Sequence, residues 1–128
     1  MTNDLDTGSF ASMTGLCVED EPLVSLEMSK TLSELGIGTV LTAHRLSLAF
    51  ERLEQATIDV ALLDYDLGYG ERTTELGLTL SANGAKVIFS SGYDISELDP
   101  RLRDFAFIEK PARPSLIKDM VVQLLVAR

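Results

Sequence analysis

The chain has 128 residues, 45% of them hydrophobic, a formal charge of −9 and one cysteine. That length supports one domain with a real core. Its acidity disfavours direct binding to nucleic-acid phosphates, no apolar run is long enough to span a bilayer, and no charged-then-apolar leader opens the chain.

Residues 1–14 are polar with scattered apolar positions and read as a flexible tail, leaving 15–128 as the domain. Leu16 to Val18 reads as a short buried strand that ends in Glu19, Asp20 and Glu21. Cys17 lies inside this apolar run, so it reads as core, and a lone cysteine fits a reducing cytoplasm. Pro22 suits a helix start, and Val24, Met28, Leu32 and Leu35 repeat at one-face spacing. Gly36 and Gly38 stop that helix.

Thr39 to Thr42 reads as a second strand. A helix follows over about Leu46 to Ala56, with Leu46, Phe50 and Leu53 inward. His44, at the junction, has no supporting pattern and reads as surface. Asp59 to Leu63 reads as a strand buried on both faces, and it stops at Asp64. Asp66, Gly68 and Gly70 follow in a loop. Thr73 is the expected cap of a third helix reaching Ala82, with Leu76 and Leu80 inward.

Lys86 to Phe89 is strand four, followed by Ser90, Ser91 and Gly92. Tyr93 and Asp94 read as loop. Pro100 allows only a stunted helix between Ile95 and Asp104. Phe105 to Glu109 is strand five, closed by Lys110-Pro111. Pro114 opens a last helix with a stripe of Leu116, Ile117, Met120, Val121, Leu124 and Leu125.

Five strand-helix units in alternation predict an α/β fold with a parallel sheet and helices on both faces. Right-handed crossovers then bring every strand's C-terminal end to one edge, the edge where open α/β sheets hold ligands. Glu19, Asp20, Asp64, Ser91 and Lys110 all stand at such ends. Clustered carboxylates without His or Cys partners suit Mg²⁺ rather than zinc. Lys110 suits a phosphoryl oxygen, Ser91 can donate to the same group, and Gly92 lets the backbone approach. This set describes phosphoryl transfer with Asp64 as nucleophile. Glu21 reads as a first-turn helix charge rather than a ligand.

The ordered set VEDE, LLDYDL, FSSG and FIEKP resembles the receiver domain of bacterial two-component response regulators, over about Leu16 to Arg128. FSSGY is also similar to stand-alone receivers whose strand four ends Phe-Ala-Thr-Gly. The resemblance implies a flavodoxin-like (βα)5 doubly wound five-stranded parallel sheet. It implies that Asp64 accepts a phosphoryl group from a phosphohistidine on a sensor histidine kinase or histidine phosphotransfer protein. It implies Mg²⁺ held by the side chains of Asp20 and Asp64, the backbone carbonyl of Asp66 and, through water, Glu19. Ser91 would follow the phosphoryl group and pull its loop, Lys110 would pair with a phosphate oxygen, and Phe107 would stand at the aromatic switch position.

The spacings from Asp64 to Ser91 and from Ser91 to Lys110 are short for that family, so helices three and four are expected to be shortened. With nothing after Arg128, the signal is expected to leave by contact with a downstream protein, with no nucleic-acid or membrane partner. Two other readings stay open. LLDYDLG also resembles the first motif of haloacid-dehalogenase-type phosphatases, with Asp64 as nucleophile and Asp66 as acid/base. A receiver that no longer uses phosphate and serves only as a docking module is the third.

Overall fold

The computed structural model describes residues 7–127. Its centre is a parallel sheet of five strands: β1 (Thr14–Val18), β2 (Thr39–Ala43), β3 (Val60–Asp64), β6 (Lys86–Ser91) and β7 (Ala106–Glu109), in the order β2-β1-β3-β6-β7. Two short strands, β4 (Asp66–Gly68) and β5 (Glu71–Arg72), make a separate antiparallel hairpin. The helices are α1 (Pro22–Glu34), α2 (Leu46–Gln55), α3 (Thr74–Ala82) and α4 (Pro114–Val126).

The strands explain the two-layer core. In β3 every residue is buried, and side chains alternate between faces. Val60 and Leu62 join Met28, Leu32, Ile117 and Val121 beneath α1 and α4. Ala61 and Leu63 join Ala49, Leu76, Leu80 and Phe89 beneath α2 and α3. Gly77 lets α3 lie close to the sheet, because a Cβ there would overlap the Phe89 ring.

The five-stranded parallel sheet agrees with the expected flavodoxin-like fold, but the elements around it differ in six places. Phe10, read as tail, is 2% exposed and packs in the α1/α4 core. It belongs to a 3₁₀ turn, Thr7–Ser12, whose Phe10 carbonyl accepts from Gly38 N–H at 3.1 Å. Thr14, at the other end of the expected tail, already belongs to β1, and residues 1–6 lie outside the described residues.

Helix α2 turns Ala49 inward, while Phe50 is 38% exposed; the small residue allows the closer approach to the sheet. Leu116 in α4 is likewise exposed. Thr73 makes no capping bond. It is fully buried and its hydroxyl donates to the Asp64 carbonyl at 2.8 Å. Helix α3 is short, as expected, but the fourth helical position holds no α-helix at all. Two 3₁₀ turns, Ile95–Glu97 and Pro100–Leu102, carry the chain there. Asp94 accepts from Ser96 N–H and Asp99 from Arg101 N–H, so each turn is capped locally, and Pro100 cannot continue a helix.

The β4–β5 hairpin was not anticipated. Gly68, Tyr69 and Gly70 turn it with φ of 82°, 53° and 79°. Its Glu71 carboxylate accepts from Leu46 N–H at 3.2 Å and pairs with Arg45 at 3.2 Å, so the hairpin caps the start of α2. Among the described residues no helix is long and apolar enough to cross a membrane.

Candidate functional site

In the order β2-β1-β3 the strands are laid down to one side of β1 and then, from β3 on, to the other, and this switch in winding opens a crevice beyond the C-terminal ends of β1 and β3. Asp20 follows β1 and Asp64 ends β3 on its two sides. Ser91 ends β6, and Lys110 follows β7, where its N–H donates to the Ser91 carbonyl at 2.8 Å. Parallel pairing of β3 with β6 and of β6 with β7 therefore holds the three residues in register. The crevice is lined by Asp20, Asp64, Asp66, Ser91, Gly92, Tyr93 and Lys110 among others, and measures about 540 Å³.

Lys110 Nζ lies 3.2 Å from Asp64 Oδ2 and 3.3 Å from Glu19 Oε1. Both carboxylates are buried, so one ammonium faces two acids in a poorly hydrated place. Burial, and then the charge of Asp64, push the Glu19 carboxyl up to about 7. Burial also raises Asp64, against the pull of Lys110. Burial lowers Lys110, but the charges of Asp64 and Glu19 outweigh it and raise its pKa.

Oxygens of Glu19, Asp20 and Asp64 all lie within 4.8 Å of one another. Asp20 is exposed and opens the cluster to water. Glu19 Oε2 accepts from Glu21 N–H at 3.1 Å, while buried Oε1 is met by the Lys110 ammonium at 3.3 Å. Three clustered hard oxygen donors, with one ammonium to offset their charge, fit a small divalent cation such as Mg²⁺.

The remaining expected residues divide. Ser91 is buried and its Oγ accepts from Tyr93 N–H at 2.9 Å. Gly92 lines the crevice, with open space where a Cβ would stand. Phe107 is half-buried on β7 and packs against the α2/α3 core. The Asp66 side chain is fully engaged. It accepts from Gly68 N–H at 2.8 Å and the Tyr93 hydroxyl at 2.9 Å, and pairs with Arg72 Nε at 3.4 Å. The Gly68 N–H and then the Tyr93 hydroxyl hold its carboxyl below the usual range. His44 is exposed and Cys17 buried, as expected.

Tyr93, Arg72 and Thr73 matter more than the sequence suggested. The one available signal was an aromatic residue directly after the Ser-Ser-Gly of β6.

No family model and no curated protein matches the chain. Solved structures do. SdrG from Sphingomonas melonis Fr1 is 31% identical, covering 90% of this chain and 98% of its own, with a TM-score of 0.75. A BeF3-activated conformation of SdrG gives 31% identity and 0.73. The response regulator REC domain of Erythrobacter litoralis PhyR is 24% identical with a TM-score of 0.82, covers 94% of this chain and 95% of its own, and speaks for the fold alone.

The chain belongs to the response-regulator receiver domains.

Within this receiver domain, the crevice at the β1–β3 switch in winding is the place where the residues carrying the resemblance converge. Asp64, Glu19, Asp20, Ser91 and Lys110 come together there, from elements spread over most of the chain.

Proposed function

We propose that this receiver domain accepts, on Asp64, a phosphoryl group from a phosphohistidine. One observation carries the reading: Lys110 Nζ stands within 3.3 Å of both Asp64 and Glu19, beside three clustered acidic side chains. An Asp64 carboxylate oxygen attacks phosphorus, an O–P bond forms, and the P–N bond breaks to release the donor's imidazole. The Lys110 ammonium pairs with a phosphoryl oxygen in place of its carboxylate contacts. Ser91 donates its hydroxyl to another, and the Gly92 backbone follows. Asp20 and Asp64 side chains, the Asp66 carbonyl and, through water, Glu19 would hold Mg²⁺. When bound, it neutralises charge that builds on the phosphoryl oxygens.

The donor is a sensor histidine kinase or a histidine phosphotransfer protein in the cytoplasm, and the output is contact with a downstream protein rather than nucleic acid or membrane. Phosphorylation adds charge in the crevice and biases the loop after β6. Phe107, packed beside that loop's strand, would respond by steric means because it lacks a hydroxyl. The phosphatase reading needs Asp66 to hold and release a proton. Its carboxylate already accepts from Gly68 and Tyr93 and is biased toward the ionised form, which counts against that role. The intact Asp64, Ser91 and Lys110 set counts against a module that ignores phosphate.

The test is incubation with Mg²⁺ and acetyl phosphate, read by intact mass. Wild type should gain one phosphoryl group, and Asp64→Asn none. Absence of the gain in wild type, or its retention in the variant, would refute the proposal. Sustained turnover of p-nitrophenyl phosphate would favour the phosphatase reading instead.

A further inference from the structure

We propose that Tyr93 is a latch residue: its hydroxyl, bonded to Asp66, holds the loop after β6 in a resting position that a ligand on Asp64 must release. The inference rests on the phosphoacceptor reading of Asp64.

Tyr93 is tied to both rims of the crevice. Its backbone N–H donates to Ser91 Oγ at 2.9 Å, and its hydroxyl donates to Asp66 Oδ2 at 2.9 Å. The first bond belongs to the loop after β6 and the second reaches the loop after β3. The ring is held as well. It meets Tyr65 edge-on at 6.3 Å, and the Arg72 guanidinium lies 5.4 Å from its centroid. Arg72 also reaches Tyr65 at 5.1 Å and pairs with Asp66. The Asp66 end is immobilised in turn, because the same carboxylate accepts from Gly68 N–H and closes the turn of the hairpin.

A ligand on Asp64 that draws the Ser91 hydroxyl toward it moves the oxygen that now receives the Tyr93 N–H. Tyr93 must then follow Ser91 or let it go. Following strains the bond to Asp66, which sits on the opposite rim and is held by Gly68 and Arg72. The link therefore favours the resting position, and a ligand gains only the difference between the two states. Removing an interaction made in the resting state alone raises the population of the competent state and tightens the ligand.

Tyr93→Phe isolates the hydroxyl, because the ring and its contacts with Arg72 and Tyr65 are retained. The measurement is titration of the Mg²⁺-loaded protein with beryllofluoride, beside titration with Mg²⁺ alone. The variant should bind beryllofluoride about three- to tenfold more tightly, with Mg²⁺ affinity unchanged. In wild type, the ¹³Cζ resonance of Tyr93 should shift on loading as its hydroxyl leaves the carboxylate. Equal or weaker beryllofluoride binding by the variant overturns the latch. So does a gain already present with Mg²⁺ alone, since the Asp66 loop rather than Ser91 would then carry the effect. Equal binding by both proteins leaves the phosphoacceptor reading standing, whereas no binding by wild type removes that reading and the latch together.

Discussion

Glu19 is the residue whose chemistry is least comfortable. Its carboxyl, buried beside Asp64, is pushed from 4.5 up to about 7. Between those values the folded protein binds a proton that the unfolded chain has released. Stability of the metal-free protein therefore falls as pH rises from about 4.5 to about 7 and levels off above. The expected loss is on the order of 1–2 kcal/mol. Urea denaturation across that range should show it, and Glu19→Gln should flatten the profile. A profile equally steep in the variant would place the titration elsewhere. Lys110→Ala should act in the opposite sense to Glu19→Gln: it leaves two buried acids unpaired and should lower stability at neutral pH by about 1–2 kcal/mol, discounted for the open crevice.

At this scale Asp64, Asp20, Ser91 and Lys110 were legible because each follows a recognisable apolar run. Asp66 was singled out as well, but its bond to Tyr93 was not foreseen, because a hydrogen bond between two loops leaves no periodicity behind. Thr73 was misread for a related reason. A threonine before a helix usually caps it, but here the Asp64 carbonyl claims its hydroxyl.

The elements that bury an alternating or heptad-like stripe were readable, since burial is what such patterns record. The failures lie where size or backbone geometry decides. In α2 the inward position goes to Ala49, which a hydrophobic tally undervalues beside Phe50. The two capped 3₁₀ turns around Pro100 replace a helix because local aspartates satisfy the backbone. The 3₁₀ turn at the start of the chain was hidden by its polar composition, yet Phe10 fills space under α1 and α4. Phe10→Ala should cost about 3 kcal/mol in chemical denaturation; a change near zero would return that segment to the status of a tail. Gly77→Ala should cost about 2 kcal/mol, because the added methyl meets the Phe89 ring, and an unchanged midpoint would show that α3 can shift away freely.

Across the whole molecule, β-strand order turns a linear sequence into one charged crevice. A chain of formal charge −9 keeps two of its acids buried at a single rim with one ammonium between them. On the proposed reading, a divalent cation held there would stabilise the fold through mass action, by about 2.7 kcal/mol at a hundredfold excess over Kd. Mg²⁺ should therefore raise the thermal midpoint and a chelator should return it, whereas an unchanged midpoint at saturating Mg²⁺ would speak against the cation site. The same strand order explains why fold and site were largely foreseeable together: once the strands are parallel, their ends must share an edge.

The central claim is that Asp64 alone receives the phosphoryl group. The direct measurement is transfer from a phosphorylated histidine donor, followed by borohydride reduction of the acyl phosphate and fragmentation of the peptide spanning residues 53–72. The account predicts conversion at Asp64 and at neither Asp59 nor Asp66. Conversion at another aspartate, or phosphoryl transfer that leaves Asp64 unmodified, would contradict it.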